Sequence, residues 1–187
     1  MHARLSLVAL ALMCATPFCA TPAAAQDLPP RKAGLWEVKM TTEGHNMPPN
    51  TSEHCIDAET DKLMSSMGDN VRQDMCSKRD VKKVGNTIVV DSVCKFGPMT
   101  ITSQAVASGD FNSAYSVKVT TKREGGPAIP GMPADGKSSM SIDAKWMGAC
   151  KADQKPGDMI TAGRKFNIRD MQNAIRPAYR TGPPAQK

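Results

Sequence analysis

The chain has 187 residues and a formal net charge of +6, from 24 Lys plus Arg against 18 Asp plus Glu. This length fits a single domain. A hydrophobic fraction of 40% with 14 Gly and 14 Pro excludes a collagen-like chain, a wholly disordered chain and a membrane protein with several spans. The excess of positive charge is the first feature to locate along the chain.

The first 25 residues have the anatomy of a cleaved secretory signal. His2 and Arg4 precede an apolar stretch at residues 5–13, and three alanines end at Ala25. Pro17 interrupts the apolar stretch well short of the roughly 20 residues that a membrane span needs. We expect cleavage after Ala25, a mature chain without a transmembrane segment, and a periplasmic or secreted location.

The charge is distributed unevenly over the mature chain. Residues 26–150 carry 15 Lys plus Arg and 15 Asp plus Glu, whereas residues 151–187 carry eight against three. The sequence therefore predicts a signal at 1–25, a neutral domain at 26–150 and a basic, proline-containing tail at 151–187. The tail is interpreted either as an arm for an anionic surface or as a solvated extension. Nucleic acid is not an expected partner, because an exported tail offers only two aromatic residues for stacking.

Four cysteines remain in the mature chain, and an even number in an exported protein predicts a disulfide framework. The Gly-Asn pair at residues 85–86 predicts a hairpin that brings Cys76 within one residue of direct opposition to Cys94, an offset that a single bulge would correct. We therefore predict a Cys76–Cys94 bridge and, by elimination, a Cys55–Cys150 bridge. A zinc site is the alternative, but the gaps of 21, 18 and 56 residues do not resemble metal-ligand spacing.

Alternation of apolar and polar residues predicts half-buried antiparallel strands along most of the domain. A helix is predicted after Asp57, which can cap it, and a marginal helical window follows Asn167 near the C-terminus. The predicted fold is mainly β: a single antiparallel meander or partly closed barrel with one short helix, two disulfides and a basic C-terminal extension. The alternating segments lie at residues 36–41, 88–91, 99–106, 115–120 and 139–146.

No recognisable motif predicts catalysis. Only His45 and His54 remain after signal cleavage, and the chain has no Gly-x-Ser-x-Gly, His-Glu-x-x-His or P-loop sequence. The four cysteines are expected to be oxidised and so unavailable as nucleophiles. We predict that the protein is not an enzyme and holds no cofactor.

The alternative to a non-catalytic module without metal is a periplasmic soft-metal protein. The mature chain has 11 methionines, and thioether sulfur with imidazole can bind Cu(I). The candidate ligands are His45, Met47 and His54. The competing interpretation is that methionines such as Met40 and Met140, which alternate with polar residues, fill the core.

Five short motifs, taken in order, carry a resemblance to a known family. They are GLWEV at 34–38, MPP at 47–49, CID at 55–57, GNT at 85–87 between two cysteines, and WMGAC at 146–150. Together they resemble the bacterial family called domain of unknown function 3617, over about residues 31–150. The resemblance implies a small, exported, disulfide-bonded β-domain of the periplasm or envelope, without an established activity or assigned functional residues. Ile56 and Asp57 stand where Leu-Thr is common in the family.

The functional prediction is a non-catalytic periplasmic or envelope module that binds a small apolar ligand or an envelope protein. Half-open β architectures often hold ligands at their mouths. The candidate ligand-binding residues are Trp36, Val38, Trp146 and Met132. A cavity lined by the two tryptophans and Val38 would favour a binding protein, whereas a packed interior would favour a structural or interaction role.

Overall fold

The computed structural model describes residues 28–43, 48–73, 75–128, 133 and 135–181, with side chains described throughout except at 66–73 and 175–181. The predicted signal at 1–25 lies outside these residues, as do His45, Met47 and Met132. The elements in chain order are β1 (Gly34–Glu43), β2 (Asn50–Ile56), α1 (Ala58–Gln73), β3 (Cys76–Val84), β4 (Thr87–Phe96), β5 (Met99–Asp110), β6 (Ala114–Glu124), β7 (Lys137–Gly148), β8 (Asp158–Thr161), β9 (Arg164–Asn167) and α2 (Ile168–Thr181).

All nine described strands belong to one antiparallel sheet, which confirms the predicted fold class. Their spatial order is β3-β4-β5-β6-β7-β1-β2-β8-β9. Strands β3 to β7 form a meander, and β1 pairs with β7, which brings the N-terminal hairpin to the middle of the sheet. Strands β3 and β9 each have one neighbour among the described strands, so the sheet is open rather than closed into a barrel.

One face of the sheet is apolar and the other is polar, as the alternation predicts. The apolar face has two connected groups of buried side chains, centred on Trp36 and on Phe111. Tyr115 joins them: its ring centroid lies 5.6 Å from that of Trp36 and 4.3 Å from that of Phe111. Interlocking aromatic and aliphatic side chains on one face are what hold a single sheet together.

Helix α1 begins where the sequence predicts. Asp57 caps it: the Asp57 carboxylate accepts a hydrogen bond from the Thr60 backbone N–H at 2.8 Å, and the Thr60 hydroxyl accepts one from the Asp57 N–H at 3.0 Å. This reciprocal pair satisfies two amides that the first turn would leave unpaired. Among the described residues, no helix is both long enough and apolar enough to cross a membrane.

The hairpin and the disulfides have the predicted arrangement. Val84 pairs with Thr87 across the two-residue turn, and an irregularity at the start of β3 brings Cys76 opposite Cys94. The bridges join Cys76 to Cys94 and Cys55 to Cys150. The first links β3 to β4, and the second fixes the end of β2 to the chain that leaves β7.

The segment after Cys150 contains strands that the sequence pattern does not reveal. Strand β8 pairs with β2, and β9 pairs with β8. Asn167 then caps α2 by accepting a hydrogen bond from the Arg169 N–H at 3.0 Å, and its amide donates to the buried Asp158 carboxylate at 2.8 Å. Four-residue strands are too short for alternation to stand out. The sheet therefore continues to Asn167, beyond the end of the predicted β-domain.

Candidate binding cleft

The predicted ligand-binding residues of β1 and β7 lie in a packed part of the apolar face. Trp36 has no exposed surface and Val38 is 7% exposed. Trp146 is the cross-strand partner of Trp36 and packs against the same group, which includes Ile56 and Ala144. The structure thus brings Trp36, Val38 and the partly buried Trp146 together in a packed group, while Met132 lies outside the described residues.

The two tryptophans hold the chain that enters β1. The Trp36 indole N–H donates to the Lys32 carbonyl at 2.8 Å, and the Trp146 indole N–H donates to the Ala33 carbonyl at 3.0 Å. The Lys32 ammonium lies 3.5 Å from the centre of the Trp146 ring, within cation–π range. Gly34 has φ +130°, and a Cβ there would lie 2.3 Å from the Gly148 carbonyl oxygen. The glycine and tryptophans of the GLWEV and WMGAC motifs are therefore structural.

A buried ion pair fastens α1 over this group. The Arg31 Nε donates to the Asp61 carboxylate at 2.7 Å, and the Arg31 backbone N–H donates to its other oxygen at 2.8 Å. The two side chains are 12% and 5% exposed. Burial raises the pKa of the nearby Tyr115 hydroxyl, and the Arg31 charge opposes this rise. Removing the Arg31 and Asp61 charges from water is costly, and each charge offsets this cost for the other by pairing and hydrogen bonding with it.

His54, the one copper-ligand candidate among the described residues, is also held in the core. It pairs with Trp36 across β1 and β2, and its Nε2 lies 3.0 Å from the Ser52 hydroxyl. Its buried Nδ1 has no hydrogen-bond partner among the described residues. Burial, assisted by the Arg31 charge, lowers the His54 pKa to about 4. Within the described part of the chain, no three His, Cys, Asp or Glu side chains converge to hold a metal.

The candidate site is a cleft on the opposite, polar face. Three clefts on the described surface have volumes of about 810, 490 and 510 Å³, and the largest spans β3 to β7. The polar face is therefore concave across these five strands. Its charged lining residues are Lys78, Lys82, Lys122, Lys137, Glu43, Asp80 and Asp91.

Uncharged polar side chains form the middle of this cleft. Thr102 and Gln104 project from β5, and Thr120 and Ser139 continue the same row on β6 and β7. The Gln104 amide donates to the Asp91 carboxylate at 2.8 Å. The lining therefore offers hydrogen-bonding and charged groups to a ligand, beside the alkyl parts of its lysine and threonine side chains. Alternation assigns these side chains to one face, but it carries no information about the curvature that gathers them into a cleft.

The basic C-terminal segment makes three ion pairs with the acidic residues around it. Lys151 lies 2.7 Å from Glu53, and Lys165 lies 3.0 Å from Asp153. Arg169 contacts both carboxylate oxygens of Glu59 on α1, and this contact lowers the Glu59 pKa. Two of the cations that the sequence suggests as an anion-binding arm, Lys151 and Arg169, are thus engaged with the domain at 26–150, and Lys165 is engaged within the segment itself.

The fold and these contacts define a class of protein. It is an open, disulfide-linked antiparallel sheet in which two tryptophan indoles hold the chain that enters β1, and in which the opposite face carries a polar cleft. The profile of one family, described as a protein of unknown function (DUF3617), matches residues 31–150. The chain therefore belongs to this family, as its motifs indicate. No curated protein and no solved structure gives a significant match.

Proposed function

We propose that this protein is a non-catalytic, exported module of the cell envelope that binds a polar ligand or partner in the cleft of β3 to β7. The cleft of about 810 Å³ is the observation that carries the proposal. Ligand sites in proteins are concave, have volumes of about 300–1,000 Å³ and present a few convergent polar groups. The proposed cleft has this size and presents convergent polar groups.

Export is supported by two features that are independent of the cleft. The first 25 residues follow the pattern of a cleavable secretory signal. The two disulfides suit an oxidising compartment such as the periplasm. We therefore place the ligand or partner in the envelope or outside the cell.

A non-catalytic role is supported by the kind of titratable groups around the cleft. They are lysines and carboxylates at exposed positions on the strands. The side chains of Lys78, Lys122 and Lys137 are 62%, 53% and 69% exposed. Catalytic acids, bases and nucleophiles generally lie in surroundings from which water is excluded, or next to another charge, and these surroundings shift their pKa. The cleft offers recognition groups rather than such a setting.

A blocking substitution tests the proposal. Gln104→Trp places an indole in the middle of the cleft, while Thr100→Trp places one on the same face of β5 outside it. We expect native mass spectrometry of the protein purified from its own envelope to show a bound molecule or partner with the wild type and with Thr100→Trp. Gln104→Trp should lose it while keeping the same melting temperature as Thr100→Trp.

The experiment distinguishes a wrong binding site from a wrong binding role. If the Gln104→Trp protein is folded and retains everything that the wild type retains, the cleft is not the binding site. If protein with a photoreactive residue at Thr100, beside the cleft, forms no cross-linked adduct in intact cells, the binding role itself is contradicted.

A further inference from the structure

His54 has a buried ring nitrogen that none of the described residues satisfies. This nitrogen, Nδ1, has no hydrogen-bond partner among them. The other nitrogen, Nε2, lies 3.0 Å from the Ser52 hydroxyl, and that hydroxyl donates to the Val38 carbonyl at 3.4 Å. Because the Ser52 proton is directed at Val38, Nε2 carries the imidazole proton and donates to Ser52. Nδ1 then keeps an unshared electron pair inside the protein, where an unpaired polar atom often marks a bound water or ion.

The residue directly opposite His54 carries a second electron-pair donor. Met159 on β8 is the cross-strand partner of His54 on β2, so the two side chains leave the sheet on the same face. The Cβ atoms of directly opposite residues lie about 4.5–5.5 Å apart, so the imidazole and the thioether can both reach one atom between them. Neither Nδ1 in this tautomer nor the Met159 sulfur has a hydrogen to donate, so the two cannot satisfy each other.

The cation that fits this pair of donors is soft and carries a single charge. Thioether sulfur selects soft ions such as Cu(I), and imidazole binds copper as well. Arg31 lies close enough to His54 for its positive charge to act on the ring, and Asp61 offsets that charge through the ion pair at 2.7 Å. A divalent ion would place twice the charge beside the guanidinium, so a monovalent ion is the better fit.

We propose that His54 and Met159 form a binding site for Cu(I), in which the His54 Nδ1 and the Met159 sulfur hold the metal. Ser52 is a positioning residue: by accepting from Nε2–H it leaves Nδ1 free, as outer hydrogen bonds do for histidine ligands. Met159 is half-buried, which gives an ion access from that side. The site is separate from the cleft of β3 to β7 and uses neither His45 nor Met47.

Anaerobic competition between the disulfide-intact mature protein and a chromophoric Cu(I) chelator tests the site. We expect the wild type to take up one Cu(I) per chain. Ser52→Ala, which removes the positioning contact, should weaken binding by about tenfold, and His54→Gln and Met159→Leu should each weaken it by more. Thiols are counted before and after the titration, because a reduced cysteine would bind Cu(I) by itself.

Two matched variants remove the same donor types outside the proposed site. His45→Gln removes the other histidine of the mature chain, and Met147→Leu removes a methionine that is 52% exposed. Both should bind Cu(I) as the wild type does. Ag(I), a soft monovalent ion that needs no reductant, gives a second measurement. In the His45→Gln protein, where His54 is the single histidine, Ag(I) should shift the ¹⁵N resonance of Nδ1 more than that of Nε2.

The outcomes distinguish this site from the alternatives. No uptake of Cu(I) by the wild type overturns the inference, as does unchanged affinity in folded His54→Gln or Met159→Leu. Loss of binding in His45→Gln alone also overturns it, because the metal would then be held through His45. If His54→Gln does not fold, the Ag(I) spectrum decides, since it is recorded on a protein that keeps His54. An unshifted Nδ1 resonance there contradicts the site.

Discussion

The two faces of the sheet use their side chains in opposite ways. On the apolar face, Trp36 and Trp146 of the family motifs pack together and donate hydrogen bonds to the entering chain, and the Arg31–Asp61 ion pair fixes α1 beside them. On the polar face, the cleft of β3 to β7 exposes charged side chains and keeps two pairs of like charges at directly opposite strand positions. The comparison indicates that the recognisable motifs specify the fold, and that the function is to be sought among residues that no motif marks.

The disulfides should give the largest effect, and a different one at each end of the sheet. The Cys55–Cys150 bridge has a sequence separation of 95, against 18 for Cys76–Cys94. On the chain-entropy model, the longer loop contributes about 5 kcal/mol to the free energy of unfolding and the shorter about 3 kcal/mol. Urea unfolding of the two double Cys→Ala variants measures both losses. A larger loss from the Cys76–Cys94 variant would contradict this ranking by loop length.

Breaking the buried ion pair should have the next largest effect. Arg31→Met leaves the Asp61 carboxylate uncompensated at 5% exposure, and we expect the free energy of unfolding to fall by about 4 kcal/mol. Arg31→Met/Asp61→Leu should recover most of this loss in the same urea experiment, because no charge is then left buried. On the polar face, Lys137→Met breaks the exposed pair with Asp135 and should change stability by less than about 0.5 kcal/mol.

Local chemistry explains which features of the fold were predictable from the sequence. Asp57 and Asn167 are helix caps, and Gly85 begins a hairpin turn, so each determines its structure through its immediate neighbours. The pairing of Cys76 with Cys94 follows from that turn. Strand β8 is different, because it forms by pairing with β2 about 100 residues earlier in the chain, and such a partner leaves no local pattern.

The site was less predictable because it depends on curvature and register together. The sequence suggests Trp36 and Trp146 as ligand-binding residues by analogy with half-open β architectures. In the structure their indole N–H groups donate to the Lys32 and Ala33 carbonyls and the rings are packed. The like-charge pair of Lys122 and Lys137 spans the long β6–β7 loop, so its register cannot be counted from a tight turn. The strand register of the folded sheet is what shows that these two lysines are direct partners.

The apolar face should also make stability depend on pH through His54. Its pKa is about 4 in the fold, below the ordinary value of 6.5, so the unfolded chain takes up a proton first as pH falls. The free energy of unfolding should therefore decrease between pH 6.5 and pH 4, by about 3 kcal/mol in total for this group. His54→Gln should remove this part of the slope when urea unfolding is repeated across that range. An unchanged slope would show that the imidazole is not held neutral in the core.

The smallest expected effect is on the polar face, and its sign is the informative part. Asp91→Asn keeps an oxygen that can accept from Gln104 and removes the repulsion with Asp80, so we expect the free energy of unfolding to rise by about 0.5 kcal/mol. Asp143→Asn, on the same face but opposite Lys39 instead of a carboxylate, removes no repulsion and should not raise it. Paired thermal unfolding of both variants at neutral pH gives the comparison. A gain at Asp91 alone would mean that the cleft carries charges at the expense of stability, as a site kept for binding does. A loss would mean that the aspartate pair is structural, and that this part of the polar face stabilises the fold as the apolar face does.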